Sequence, residues 1–382
     1  MVLEIISSSL WDTQTEELVI TEEDFHEMQS QAIAALPADI LPRLCMPEEL
    51  KQAWNMEILR QLSWYTRYTY EQARLPLTVP YVILKGTSAA EYYPHPQFRT
   101  MGDIDIMPRR EDFGLAYQEL QDGGFEVVND LKREVKFRKN GMLIELHRSF
   151  ASLNDSEKAR FLDNIIFENI NPSHVLPDRI NGLVLLEHIS QHLENGLGLR
   201  QIIDWMMFAD KCLQDDKWPE FETLARKIGL ERLAVMATRM CEIYLGLSQH
   251  AWCAGANQNI CNQLMDYVLA CGNFGNKKNT DADIAENVFA RTSTPKMLFK
   301  TLQERGETNW ALCRKYRFLK HFAWIYQGAR YLRRGLSQKE GISGLKAEYD
   351  EARKRNAMFE ALGIKTAAKG IVVYRDGNYV KA

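Results

Sequence analysis

Leu84-Lys85-Gly86-Thr87-Ser88, Gly102-Asp103-Ile104-Asp105-Ile106 and Leu143-Ile144-Glu145-Leu146-His147 are the stretches that decide how this chain reads. In the second, Asp103 and Asp105 alternate with Ile104 and Ile106, so a strand sends both carboxylates to one face and both isoleucines into a core. The third repeats the pattern, with Ile144 and Leu146 inward and with Glu145 and His147 sharing the other face. Two neighbouring carboxylates repel unless a cation or a proton sits between them, and hard oxygen ligands suit magnesium or manganese bound together with phosphates.

The first stretch supplies a phosphate site. Pro80 to Leu84 reads as a short buried strand, Gly86 permits a tight turn, and Thr87-Ser88 opens a helical run through Ala89-Ala90-Glu91-Tyr92-Tyr93. A helix start offers free backbone N–H groups and the positive end of its dipole to an anion. Lys85 and Arg99 add positive charge for the same phosphates. Their plainer alternative is a solvated role or, for Arg99, a pair with Asp103.

Strand, Gly-Thr turn, helix, a strand carrying Asp-x-Asp and a later strand carrying a third acid together resemble the polymerase-beta-like nucleotidyltransferase superfamily. Within it, the chain is similar to the bacterial group of uncharacterised nucleotidyltransferases, whose pattern runs here through Lys85-Gly86, Tyr93-Pro94, Arg99, Asp103-Ile104-Asp105 and Glu145-Leu146-His147. The similarity covers residues 80 to 150, with a weaker echo at 183 to 205. One departure is the turn: the superfamily has Gly-Gly or Gly-Ser and a shorter gap to the first Asp, whereas Thr87 and an inserted Tyr92-Tyr93-Pro94-His95-Pro96 segment stand here.

The resemblance implies metal-dependent transfer of a nucleoside monophosphate from a nucleoside triphosphate to an acceptor hydroxyl, with release of pyrophosphate. It implies that Asp103, Asp105 and Glu145 are catalytic and hold magnesium or manganese, and that Lys85, Gly86, Thr87, Ser88 and Arg99 bind the nucleotide. His147 joins the acceptor side through its shared strand face with Glu145. His188 and His192 are four apart on a helical run, as are Arg200 and Asp204 on the next, so each pair shares a face. The group's similar His and Leu-Arg-x-x-x-Asp arrangement implies that these four face the acceptor across the cleft. Packed histidines are the plain alternative. A zincin motif is absent, because Glu187 precedes the first histidine rather than following it.

The 382 residues suffice for two or three domains, and 46% hydrophobic with 26% charged residues is an ordinary globular composition. No run reaches the roughly 20 apolar residues of a spanning helix, and Met1 to Ile6 lacks the basic flank of a secretory signal, so a cytoplasmic location is expected. Seven cysteines without a Cys-x-x-Cys pair read as reduced thiols rather than a zinc site. A net charge of −4 argues against coating nucleic acid with the whole surface.

The expected fold class is α+β: a small mixed-sheet nucleotidyltransferase core with a helical N-terminal segment and a C-terminal helical bundle. Residues 1–75 form the N-terminal segment, with Thr21-Glu22-Glu23-Asp24 as a cap and a long helix from Pro47 to Ala73. Residues 76–150 form the core, with strands at 79–84, 103–107, 125–128, 134–138 and 142–147 and a helix at 111–121. Residues 151–382 are expected as helices at 156–166, 179–194, 198–213, 218–228, 231–245, 260–271, 296–304 and 310–334, before a hairpin or loose tail at 371–380. Within 310–334 basic residues interleave with aromatics, a pattern that suits weak contact with an anionic membrane or nucleic acid. The plainer reading, placed ahead, buries the aromatics and solvates the charges. Two rivals to the enzyme remain at this point: a non-catalytic nucleotide-binding or interaction module on the same scaffold, and a nucleotidyltransferase toxin acting on RNA.

Overall fold

A computed structural model of the chain describes residues 1–12, 18–153, 155–193, 196–277, 299–300, 302–303, 306–307, 309–310, 312–313, 316–337, 341–364, 372–375 and 378–381. Its centre is a five-stranded mixed sheet of β1 (Tyr81–Leu84), β2 (Ile104–Pro108), β3 (Glu126–Asp130), β4 (Glu134–Lys139) and β5 (Met142–His147), in the order β1-β2-β5-β4-β3. The central pair β2–β5 is parallel and the other pairs are antiparallel. The expected α+β class is what the chain adopts.

Alternation sorts the sheet into two faces. Ile104 and Ile106, Ile144 and Leu146, and Val135 and Phe137 are all buried on one face, where they meet Tyr68 of α3 (Glu48–Ala73) and Ala116 and Leu120 of α5 (Phe113–Asp122). Each such side chain contributes on the order of 1.5–3 kcal/mol of apolar burial, which fixes the register because a one-residue slip would turn the whole set outward. The opposite face therefore receives the polar residues between them: Asp105, Glu145, His147, Glu134 and Lys136.

The N-terminal helices α1 (Val2–Trp11) and α2 (Glu22–Ser30) precede α3, and Thr21 forms the expected capping box with Asp24 at the start of α2. After the sheet, α6 (Ser156–Glu168), α7 (Asp178–Leu193), α8 (Leu199–Cys212), α9 (Trp218–Ile228), α10 (Glu231–Tyr244) and α11 (Gln258–Cys271) follow. Helix α7 packs on α8, α8 on α10 and α10 on α11. Buried Gln31 ties the N-terminal segment to this bundle, accepting from the Leu199 amide at 2.9 Å and donating to the Val268 carbonyl at 3.4 Å. Residues 1–277 with 371–382 form one compact unit and 278–370 a second. Among the described residues no helix is long and apolar enough to cross a membrane.

Several expectations need correction. Helix α4 spans only Gly86–Ala90 instead of continuing through Tyr93, because Pro94 and Pro96 bar a longer helix. Residues 310–334 are not one helix: a 3-10 turn at Arg317–Phe322 precedes α12 (Ala323–Ser337), and Tyr316 before it is extended. Its aromatics are not uniformly buried either, since Phe318 is 64% and Phe322 51% exposed, although Trp310 stacks on Tyr326. Helix α13 (Gly341–Ala361) was not anticipated, and most of the helix expected at 296–304 lies outside the described residues. The hairpin at the C-terminus is present as β6 (Val372–Arg375) and β7 (Asn378–Lys381).

Phe137 is fully buried under the sheet with Tyr117 against its ring edge. Phe137→Ala is expected to cost about 3–5 kcal/mol, read as a shift of the urea unfolding midpoint at unchanged slope.

Candidate active site

Sheet geometry brings the acidic residues together from separate strands. In the parallel pair β2–β5, Asp105 stands opposite Glu145, and in the β1–β2 pair Leu84 stands opposite Asp105. The chain leaving β1 then turns sharply: Lys85 has φ 59° and Gly86 φ 46°, both left-handed, which directs the Lys85 side chain across the sheet. A lysine in that region is strained, and the contact it makes is the compensation. Its Nζ lies 2.8 Å from Asp105 Oδ1, with 14% of its side chain exposed.

His147 Nε2 reaches the same oxygen at 2.9 Å and lies 3.6 Å from Glu145 Oε2. Burial disfavours charge on Asp105, but the Lys85 ammonium and the His147 hydrogen bond outweigh it and hold this carboxyl below the usual range. Glu145 goes the other way. Burial, with the negative charges of Asp105 and Asp103, pushes it up to about 7 against the pull of His147 and Lys136. Lys136 of β4 stands opposite Glu145 in register and binds its carboxylate, with Glu134 Oε1 at 3.4 Å from the same ammonium. Lys136 and Glu134 were not singled out from sequence. The alternation of β4 places them on the polar face, but their partners emerge only from the strand order.

Oxygens of Asp105 and Glu145 and a ring nitrogen of His147 lie within 4.8 Å of one another, a donor set that fits a divalent cation. With two oxygens and one imidazole it suits manganese as well as magnesium. The Nδ1 of His147 is buried and has no hydrogen-bond partner among the described residues, Glu134 Oε2 lying 3.8 Å away. Asp103 is not part of this three-residue cluster, contrary to the side-by-side aspartates expected from the alternation. The strand begins one residue later, at Ile104, and the Asp103 carbonyl accepts instead from the Tyr68 hydroxyl at 3.1 Å. Asp103 remains close enough for its charge to act on Lys85 and Glu145, and it lines a cavity of about 680 Å³ with Trp64, Gly102, Leu143 and Phe274.

The turn residues differ in what they leave available. Ser88 is buried and its hydroxyl donates to the Ile83 carbonyl at 2.9 Å, while Thr87 donates to Gln72 at 3.0 Å. Gly86 is needed for a reason not foreseen: a Cβ there would lie 2.4 Å from the Tyr68 hydroxyl oxygen. Arg99 pairs with Asp204 rather than with Asp103, through Nε at 2.6 Å and Nη2 at 2.7 Å, and Tyr93 donates to the same carboxylate at 2.7 Å. This buried fork fastens α8 to the segment before β2, and breaking such a pair costs about 3–5 kcal/mol. Arg99 and Asp204 are thus engaged with each other.

His188 and His192 feel the charge of Lys85, His192 also that of Asp105, and Arg200 that of Asp204 and Asp103. Burial first, and then the positive charge of Lys85, push His188 well down and His192 to about 3, so both imidazoles are neutral at neutral pH. Arg200 is 7% exposed, donates to the Thr100 carbonyl at 3.3 Å and lies under the Phe274 ring, with no ion-pair partner among the described residues. Its charge is therefore less committed than that of Arg99.

Two outcomes follow from this geometry. Gly86→Ala is expected to cost about 1–3 kcal/mol through overpacking against Tyr68, and adding Tyr68→Phe should recover part of that loss in thermal melts. Glu187, beside His188 on α7, accepts from the Ser152 amide at 2.7 Å, yet burial pushes it from 4.5 up to about 7. Between those values the folded chain holds a proton that the unfolded chain has released, so stability falls as pH rises, by up to about 1.4 kcal/mol per pH unit. Glu187→Gln should remove this contribution, making the slope of stability against pH less negative by up to about 1.4 kcal/mol per pH unit, as measured by denaturant unfolding of variant and wild type across the same pH window.

The sequence profile of the family described as uncharacterised nucleotidyltransferase matches residues 26–246, more than half of the chain. No curated protein and no solved structure matches it. The matched span includes α3, the whole sheet, the carboxylate–histidine cluster and helices α7 and α8 that face it, and the chain belongs to the uncharacterised nucleotidyltransferase family.

Proposed function

We propose that this nucleotidyltransferase, built on a polymerase-beta-like core, moves a nucleoside monophosphate from a nucleoside triphosphate to an acceptor hydroxyl and releases pyrophosphate. The observation that carries this reading is the register of Asp105 opposite Glu145 on adjacent parallel strands, with Lys85 and His147 on the same carboxylate. Asp105 and Glu145 would hold magnesium or manganese, with Asp103 adding charge at the cluster's edge. The cation, when bound, supplies charge neutralisation at the phosphates.

The remaining work belongs to the protein's own groups. Lys85, Arg200 and the backbone amides at the start of α4 receive the triphosphate, and the neutral His188 and His192 offer hydrogen bonds without charge. The acceptor oxygen forms a bond to the α-phosphorus as the bond from that phosphorus to the bridging oxygen breaks. Pyrophosphate leaves with the electron pair, and the hydroxyl proton passes to the Glu145 carboxylate. Arg99, Asp204 and Tyr93 act at a distance from the reacting atoms, holding α8 so that Arg200 keeps its place.

Asp105→Asn and Glu145→Gln are expected to weaken manganese-dependent nucleoside triphosphate binding by about tenfold or more, measured by calorimetry on variants whose melting curves show a folded protein. Unchanged metal and nucleotide affinity in both variants would overturn the assignment.

A further inference from the structure

A second cavity, of about 450 Å³, opens beyond the other end of the carboxylate cluster. Arg109, Arg110, Lys132 and Arg148 line it, and Asp130 is the only carboxylate among its lining residues. Two aromatic walls orient the guanidiniums: Arg148 lies 4.6 Å over the Phe113 ring and Arg110 4.5 Å over Phe167. Stacking of this kind fixes the plane of the guanidinium fork, a geometry that suits phosphate, and Arg110 Nη2 also donates to Asn164 Oδ1 at 2.8 Å. Arg148 also binds Asp130 at 2.9 Å and the Leu131 carbonyl at 2.7 Å, whereas Arg109 and Lys132 are exposed side chains at the rim.

The inner wall is His147, which is 3% exposed and bonds Asp105 through Nε2, while its buried Nδ1 has no hydrogen-bond partner among the described residues. One imidazole therefore separates the cationic cavity from the cluster. Topology divides the positive charges of the site between its two ends. Lys85 and Arg200 gather near the start of β2, where Leu84 pairs with Asp105 and Arg200 bonds Thr100. The cavity's Arg109 and Arg148 instead follow the ends of β2 and β5, and these ends coincide because the two strands are parallel.

We propose that this cavity binds the phosphate of a small phosphorylated alcohol, of about sugar-phosphate size, and that this alcohol is the acceptor. The inference rests on the transfer reaction proposed above. The donor triphosphate occupies the Lys85 end, the acceptor phosphate sits among the arginines, and the acceptor hydroxyl points past His147 toward Glu145. A cavity of this volume lies in the usual size range for small-molecule sites.

The test is calorimetry with inorganic phosphate, glucose 1-phosphate, a 5′-phosphorylated tetranucleotide and, separately, manganese with a nucleoside triphosphate. The chains compared are the wild type, the double variant Arg109→Gln/Lys132→Gln and Asp105→Asn. Both rim positions are exposed, so the double variant should keep its melting temperature. It is expected to bind phosphate and glucose 1-phosphate about tenfold more weakly while retaining triphosphate affinity. Asp105→Asn should do the reverse.

Equal phosphate affinity in wild type and double variant, or no phosphate binding at all, would overturn the proposal. A fall in triphosphate affinity in the double variant would also overturn it, because the cavity would then serve the donor. Tighter binding of the tetranucleotide than of glucose 1-phosphate would overturn the small-molecule assignment. Unchanged triphosphate affinity in Asp105→Asn, with phosphate binding lost only in the double variant, would support the anion site while removing the metal assignment at Asp105.

Discussion

A carboxylate buried to 2% exposure at the middle of a sheet is the constraint on which the rest of the site depends. An isolated charge in such a place would take up a proton rather than persist, so Asp105 stays ionised only because Lys85 and His147 share one of its oxygens. Each partner makes its own demand on the fold. Lys85 arrives only if the chain after β1 accepts two consecutive left-handed residues, and His147 arrives only if β5 lies parallel to β2 in the observed register. The cost of burying one anion is thus offset by backbone features of three separate elements.

The same arrangement divides the neighbouring acids by function. Asp105 is held ionised by the Lys85 ammonium and the His147 hydrogen bond, while Glu145, opposite it in register, is pushed up to about 7 by burial and by the charge of Asp105 itself. Two carboxylates in contact cannot both be freely ionised, and the geometry decides which one keeps the proton. Lys136 and Glu134 extend the network across β4, so four elements contribute to a single electrostatic balance.

Much of this was legible in the chain because strand alternation is a local signal. The isoleucines at 104 and 106 and the acids between and beside them predict which face carries which chemistry, and Phe137 and Val135 on β4 obey the same rule. The partners were not legible, since they depend on contacts between distant segments. Arg99 has Asp103 four residues away, yet bonds Asp204, which is 105 residues away, because α8 packs there and provides a buried bidentate partner. Gly86 reads as a phosphate turn, whereas the space beside it is filled by Tyr68 from a helix whose placement no local pattern specifies. Asp103 shares the parity of Asp105 but stands just before the strand begins, where parity no longer governs direction. In 310–334 composition suggested one helix, and the 3-10 turn at Arg317–Phe322 has no signal in the charge and aromatic pattern used to read it.

The parallel pairing of β2 and β5 gives the sheet a seam. On one side, β3, β4 and β5 form a meander joined by short turns, and on the other β1 pairs with β2, so each half is antiparallel within itself. Across the seam, Asp105 and His147 are 42 residues apart in sequence, and their contact belongs to the slow, non-local part of folding. Each half brings an incomplete set of charges, and the cluster comes into being only where the halves are docked. A fluctuation that parts the seam without melting either half would therefore disassemble the site while most of the secondary structure persists.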